Sequence, residues 1–258
     1  MACLDKHKNM QRIYLPNTNF GENLLINDRE LYHQITRVMR ARVGQEYVFF
    51  DGVNLQDHVY KIVDINKNTC SFEKQNIIEK SSESKCELLL YQAFPNKLSK
   101  FEAIVQKCSE VGYSKIIFFE SERSQKLVLS DNKKERLKKI SIEAIEQCGG
   151  NIVPSLEYVS ELGKIDAKHS IICHTQDDSS ITLCDVTIED KINVFVGPEG
   201  GFFAEELENI NAQKVFFGER ILRCETVGEV VGFYISQKKI SFMAYFFLPS
   251  LEFVLTFG

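Results

Sequence analysis

The sequence predicts an α/β protein in two parts: a small β-rich N-terminal domain over residues 1–80, and an α/β domain over residues 81–258 built on a mostly parallel sheet sandwiched by helices. Three observations carry that expectation. Up to about Ile78 the apolar residues come in short runs separated by turn signals. Beyond it, short apolar runs alternate with longer segments of helical periodicity. Between the two, SSESK (Ser81 to Lys85) is polar and poor in core residues, which suits a boundary.

In the first part RIYLP, YVFF before Asp51-Gly52, HVYKIVDI before Asn66-Lys67-Asn68, and CSF read as strands with turn punctuation between them. Leu31 to Arg42 is the exception, a helical turn or two. The second part opens on CELLLYQAF, a buried strand. Phe101, Ile104, Val105, Cys108 and Val111 then recur on one helix face that ends at Gly112. KIIFFES follows as a strand, and ERLKKISIEAIEQC as an amphipathic helix closed by Gly149-Gly150. SIICHT, INVFVG and KVFFG complete the strands, with the helix AEELENI between the last two. In sheets of this kind ligands gather at the C-terminal ends of the strands.

Composition narrows the class. Of 258 residues, 44% are hydrophobic and 26% charged, and the formal net charge is -5, which is ordinary for a soluble globular chain and argues against disorder. The opening MACLDKHKNM is polar and charged, so no secretory signal is read and a cytosolic location is expected. The 8 cysteines are scattered without a C-x-x-C pair; no metal site is expected, and the thiols are expected to be free. Residues 240–258 (ISFMAYFFLPSLEFVLTFG) hold a single charge, Glu252, but Pro249, Ser250 and Glu252 divide the run into pieces too short to cross a membrane. Packing on the core or on a second subunit is the expectation for this tail.

VFVGPEGGF, Val194 to Phe202, stands at one of the expected strand ends. It matches neither G-x-x-x-x-G-K-[ST] nor G-x-G-x-x-G, and the physics agrees. Pro198 has no N–H to offer an anion, and Glu199 repels one. The loop therefore suits a neutral or cationic ligand, or serves only as a tight strand-to-helix turn. Two other strand ends carry polar punctuation: His174-Thr175-Gln176, and Gly218-Glu219-Arg220 running into ILRCET. Taken alone, His174 reads as a structural histidine and Arg220 and Arg223 as surface charges; three loops at one sheet edge make a pocket.

GPEGGFFAEEL followed by FFGERILRCET resembles the paired signature of the SPOUT methyltransferases, and within them the family that methylates N3 of a uridine in 16S ribosomal RNA. KLSKFEAIVQKCSEVGYSKI with SERS, EAIEQCGG with VP, and MQRIYLP with HQITRVMR and DG are similar to the same family, to about residue 235. The resemblance implies a trefoil knot in the C-terminal domain, a rare exception to unthreaded connectivity. It implies a PUA-like β-barrel at the N-terminus, a homodimer, S-adenosylmethionine as cofactor, and the small ribosomal subunit or its 16S RNA as partner.

By that likeness Gly197, Pro198, Glu199, Gly200 and Gly201, with Phe217, Gly218, Arg220, Ile221 and Leu222, form loops around the cofactor, and His174 and Thr175 a third wall. Transfer to N3 requires orientation, a proton acceptor, and stabilisation of charge on the pyrimidine oxygens. Arg223 is the candidate for that stabilisation. Glu225 reads as base or base-orienter, and equally as an acid in the first turn of a helix. Arg37, Arg40 and Arg42 cluster with no acid between Leu31 and Gln45, a candidate RNA grip, with Arg12, Lys97, Lys100, Lys107 and Arg123 as further candidates. Each of these taken singly also reads as an ordinary solvated charge.

Three positions depart from the family pattern. Cys224 stands where threonine is usual, Phe203 replaces a small polar helix cap, and Gly150 stands in place of arginine. They motivate an alternative reading, a catalytically weak RNA-binding relative. A nucleotide-binding α/β enzyme using phosphate is disfavoured by the missing lysine and the carboxylate at Glu199.

Overall fold

The computed structural model describes residues 10–79, 83–125, 127–162, 167–175, 177 and 179–247, so Cys3, the first two residues of the SSESK stretch and the end of the apolar tail lie outside the described residues. The chain forms two compact units, one from Met1–Glu83 with Ser141–Val153, the other from Ser84–Ile140 with Pro154–Gly258.

The first unit is built on a five-stranded sheet. Its strands are β1 (Gln11–Tyr14), β2 (Asn23–Ile26), β3 (Glu46–Phe50), β4 (Gln56–Ile65) and β5 (Cys70–Glu79), in the order β1-β3-β4-β5-β2. Only β1 and β3 pair in parallel. Strand β2 was not among the expected strands: its four residues bury only Leu24 and Ile26, a signal shorter than periodicity can resolve. The expected helical stretch is a short helix, α1 (Arg29–His33), which Asp28 caps through the N–H of Leu31, continued by a wider turn over Gln34–Val38 that buries Ile35. Ile35 joins Ile13, Phe49, Tyr60, Ile62 and Phe72 in one core.

One ion pair in this unit is nearly dry. Arg12 Nη1 donates to Asp57 Oδ2 at 2.5 Å and Nη2 to the Gly150 carbonyl at 2.7 Å, with the two side chains only 9% and 3% exposed. Asn151 Nδ2 donates to Asp57 Oδ1 at 2.9 Å, and the guanidinium lies 4.7 Å from the Phe50 ring centroid. Arg12, a candidate RNA contact by sequence, is thus committed to the interior of its own unit.

The second unit is an all-parallel seven-stranded sheet, β10-β12-β9-β11-β6-β7-β8. Its elements follow as β6 (Glu87–Ala93), α2 (Leu98–Glu110), β7 (Lys115–Phe119), α3 (Asp131–Cys148), β8 (Ser155–Val159), β9 (Ser170–Cys173), β10 (Ile181–Thr182), β11 (Lys191–Val196), α4 (Ala204–Ile210), β12 (Gln213–Phe216) and α5 (Cys224–Phe247). From Ser141 onward α3 clusters with the first unit. The near-continuous apolar runs of β6, β7 and β11 are buried almost throughout, as a parallel sheet covered on both faces requires. Edge strands β8 and β10, half exposed and short, are the two the sequence pattern did not show.

Helix α5 packs on α2, β6 and β11, and two glycines one turn apart allow the approach. A Cβ at Gly228 would press on Cys108 Sγ at 3.1 Å and Leu90, and one at Gly232 would run into the buried ring of Tyr113, whose hydroxyl donates to the Gly228 carbonyl at 2.9 Å. Gly232→Ala should therefore destabilise by about 1–3 kcal/mol despite alanine's better helix propensity, because a rigid ring is the obstacle. Calorimetry should show Tm lower by roughly 2–4 °C for each kcal/mol; an unchanged or raised Tm would mean the helix can retreat from Tyr113. The apolar stretch from Ile240 to Phe247 continues α5, and among the described residues no helix is long and apolar enough to cross a membrane. The described cysteines, Cys70, Cys86, Cys108, Cys148, Cys173, Cys184 and Cys224, are free thiols.

Candidate active site

Because β12, β9 and β11 are parallel neighbours, the three loops that leave their C-terminal ends emerge at one edge of the sheet. These are the loops at His174, Gly197 and Phe217. Strand β6 lies on the other side of β11, and the chain runs from β6 outward to β7 in one direction while β11 flanks it in the other. The C-terminal ends of β6 and β11 thus bound a topological switch point, where open α/β sheets bind ligands. A cavity of ≈ 590 Å³ lies instead at the opposite edge, lined by Lys168, His169, Lys191 and Lys214 among others. None of the signature residues lines it.

The glycine loop is a tight turn with packed flanks. The N–H of Gly201 donates to the Pro198 carbonyl at 2.9 Å, and Gly201 has φ +71°, in the left-handed region that suits glycine. Arg123 lies over this turn: its Nη1 donates to the Gly200 carbonyl at 2.5 Å and its guanidinium sits 4.0 Å from the Phe203 ring centroid. A Cβ at Gly200 would meet the Arg123 chain at 3.2 Å. The carboxylate of Glu206 accepts from the N–H groups of both Phe203 and Glu122, at 2.9 and 3.1 Å, and so joins the loop after β7 to the start of α4. The clasp by Arg123 and Glu206 is not visible in sequence, since it depends on the strand order β11-β6-β7.

At the switch point the charges converge. Lys100 Nζ lies 2.7 Å from Glu199 Oε1 and 3.4 Å from Glu225 Oε2, and the N–H of Asn96 donates to the same Glu199 oxygen at 3.1 Å. Burial pushes both carboxyls up; for Glu199 the Lys100 and Asn96 hydrogen bonds outweigh it, and for Glu225 its own N–H, the Cys224 thiol and Lys100 do, leaving both below the usual carboxylate range. The Glu199 hydrogen bond holds Lys100 above the usual lysine range. The sign follows: the carboxylates contribute stability above their unfolded values and lose it as pH falls through the lowered native ones, while the lysine contribution is lost only as pH rises through its raised value. Gln92 Oε1 and Asn96 Oδ1, at the end of β6 beside this cluster, are buried without a hydrogen-bond partner among the described residues. They are acceptors in search of a donor, signalled in the sequence only by the polar residues interrupting LLLYQAFPN.

The remaining candidates divide by exposure. Arg223 heads α5: its carbonyl accepts from Thr226 and Val227, and its side chain is exposed and unpaired among the described residues. Arg220 and Ile221 are exposed, Phe217 and Leu222 pack partly against the core, and Gly218 has φ +134°. His174 turns inward on its own loop, with Nδ1 2.7 Å from the Thr175 carbonyl. Lys97 is exposed ahead of α2, and Arg37, Arg40 and Arg42 are exposed together on the first unit without an ion-pair partner among the described residues.

The fold and the convergence of loops define a class, and comparison assigns it: the RNA methyltransferase domain family matches residues 82–233, more than half of the chain, and the chain belongs to that family. Along nearly its whole length it is similar to the ribosomal RNA small subunit methyltransferase E of Buchnera aphidicola subsp. Acyrthosiphon pisum (strain APS), 29% identical over 240 residues that cover 87% of this chain and 92% of the relative. The crystal structure of ribosomal RNA small subunit methyltransferase E from Neisseria gonorrhoeae, bound to S-adenosyl methionine, superposes with a TM-score of 0.78 at 25% identity, covering 89% of this chain and 98% of the other. A Legionella pneumophila structure in complex with the bound cofactor SAM gives a TM-score of 0.75 at 26% identity, with the same coverage.

Proposed function

We propose that this RNA methyltransferase transfers a methyl group from S-adenosylmethionine to N3 of a uridine in 16S ribosomal RNA, acting as a homodimer in the cytosol. The observation that carries the reading is the meeting of Glu199 and Glu225 with Lys100 at the edge where the three signature loops emerge. The residues present fit the cofactor. It carries no phosphate and supplies a methyl group on a positively charged sulfur, which suits a loop with a proline and a carboxylate; the orphaned acceptors of Gln92 and Asn96 suit its donors. His174 and Thr175, Gly197 to Gly201, and Phe217 to Leu222 hold it in this reading. Glu225 accepts the N3 proton, and Arg223, free to reach a substrate, stabilises charge on a pyrimidine oxygen.

The trefoil knot belongs to the same reading. What supports it is that β11 and β12, late in the chain, each insert between strands laid down earlier, β11 between β6 and β9, and β12 between β9 and β10. The first unit is read as a PUA-like barrel that holds RNA through Arg37, Arg40 and Arg42. Neutralising all three should flatten the dependence of log K on log salt by about 0.7 for each phosphate of single-stranded RNA that they no longer neutralise. Filter binding of 16S RNA across a salt series checks it; an unchanged slope would place the grip elsewhere.

Each of the three departures from the family pattern is accommodated in the fold. Cys224 is held as a protonated thiol, burial and Glu225 pushing it up to about 12, and it donates to Glu225 Oε2 at 3.3 Å where a hydroxyl would. Phe203 lacks a capping side chain, but Glu206 satisfies its N–H and Arg123 covers its ring. Gly150 offers its carbonyl to Arg12, and a Cβ there would crowd Glu83 Oε1 at 3.2 Å and Ile145. The Cys224 bond to Glu225, the proposed base, favours the enzyme over a weak RNA-binding relative. Mass spectrometry of 16S RNA from cells lacking the gene should show one methylated uridine missing; a complete set of methylated uridines would refute the proposal.

A further inference from the structure

We propose that Lys100 is a positioning residue for methyl transfer: its ammonium ties Glu199 of the glycine loop to Glu225 at the head of α5 and so fixes the place and charge of both carboxylates. The inference rests on the reaction proposed above.

Three elements distant in sequence meet at this one nitrogen. Lys100 is the third residue of α2, and the next residue, Phe101, is fully buried between Phe94 and Phe118, with ring centroids 5.5 and 4.7 Å away. The start of the helix is thereby anchored, and the lysine stem with it; only 19% of the side chain is exposed. Glu199 Oε1 takes both the ammonium, at 2.7 Å, and the Asn96 N–H, at 3.1 Å, so the first turn of α2 and the segment leading into it each grip the glycine loop. Glu225 Oε2 takes the ammonium at 3.4 Å and the Cys224 thiol at 3.3 Å. The titratable groups facing Lys100 are therefore Glu199, Glu225 and Cys224, and the thiol is protonated.

Two carboxylates that share one partner repel each other, and removing the cation between them raises the pH at which each gives up its proton. That matters for the proposed chemistry. As N3 attacks, the N3–CH3 bond forms and the S–CH3 bond breaks with its electron pair left on sulfur, while the N3 proton passes to the Glu225 carboxylate. The sulfonium charge is lost as the carboxylate charge is lost, so the site ends with the balance it began with. A Glu225 already protonated has no place for that proton. Lys100 keeps it ionised and aimed, without itself touching the reacting atoms.

The test uses the full chain with Lys100→Met, Lys100→Arg and Glu199→Gln. Carbon-13 NMR of labelled glutamate carboxylates, assigned through Glu225→Gln, follows the Glu225 titration without substrate; single-turnover transfer to 16S RNA follows the rate from pH 5 to 9. Lys100→Met should raise the Glu225 midpoint by about one pH unit and lower transfer at pH 5 about two- to threefold, with the rate at pH 9 within about twofold. Lys100→Arg should restore both, and Glu199→Gln, which removes the competing carboxylate, should lower the midpoint even if the methionine variant fails to fold. A Glu225 midpoint unmoved by both neutral substitutions overturns the positioning role whatever the rate does. Wild-type protein that moves no methyl to the RNA, with the midpoints behaving as expected, overturns the proposed reaction instead.

Discussion

Replacing Arg223 by alanine is expected to cut methyl transfer about 10²–10³-fold while leaving binding of S-adenosylmethionine within a few-fold, the loss typical of deleting one donor that faces developing charge. Its position gives the reason. The Arg223 backbone starts α5, so the residue is held by a helix packed on α2, β6 and β11, yet its guanidinium is exposed and unpaired among the described residues. A planar fork of donors on a fixed backbone next to the Glu225 carboxylate is placed to meet a carbonyl oxygen or a phosphate. Lysine keeps the charge and loses the fork, so Arg223→Lys should recover only part of the rate. Radiolabelled transfer to 16S RNA under single-turnover conditions, with calorimetric titration of the cofactor alongside, separates chemistry from binding. Undiminished transfer in Arg223→Ala would remove the residue from the reaction.

Strand order decided which parts of this site were readable from the sequence. VFVGPEGGF announces a strand end and a turn through its own composition, and the periodicity of Phe101, Ile104, Val105 and Cys108 announces the buried face of α2. Neither tells that β11 lies beside β6, which is the fact that brings Glu199 to Lys100 across 99 positions of chain. Lys100 and Arg123 read as phosphate contacts because sequence does not tell whether a cation's partner is a nucleic acid or a group far along the chain, such as the Glu199 carboxylate or the Gly200 carbonyl. The same holds for Arg12, whose partners Asp57, Gly150 and Asn151 come from β4, one strand beyond β3, and from a segment that joins the unit from far along the chain. Strands β2, β8 and β10 escaped for a simpler reason: each buries too few residues to leave a periodic trace. Local chemistry is legible, whereas pairing between distant segments is a property of topology.

Asp57→Ala in the first unit should cost about 3–5 kcal/mol, from leaving one charge of a dry pair without its partner. Arg12 would keep its bond to the Gly150 carbonyl at 2.7 Å and its place near Phe50, but it would lose its ion-pair partner, with the Glu146 carboxylate left as a weaker counter-charge. Its Nε already lacks a hydrogen-bond partner there, so no spare acceptor stands ready. Asn151 would lose the acceptor of its Nδ2 at Asp57 and keep the one at the Gln56 carbonyl, 2.9 Å away. The loss comes from an abandoned charge rather than from a strong bond, and that distinction is measurable. Arg12→Met combined with Asp57→Ala should be less destabilising than Asp57→Ala alone, because an apolar chain of similar length packs where the lone cation could not. Denaturant unfolding of the wild type, both single variants and the double variant gives the coupling; if the double variant is as unstable as the sum of the singles, the pair contributes through shape alone and the charge argument fails.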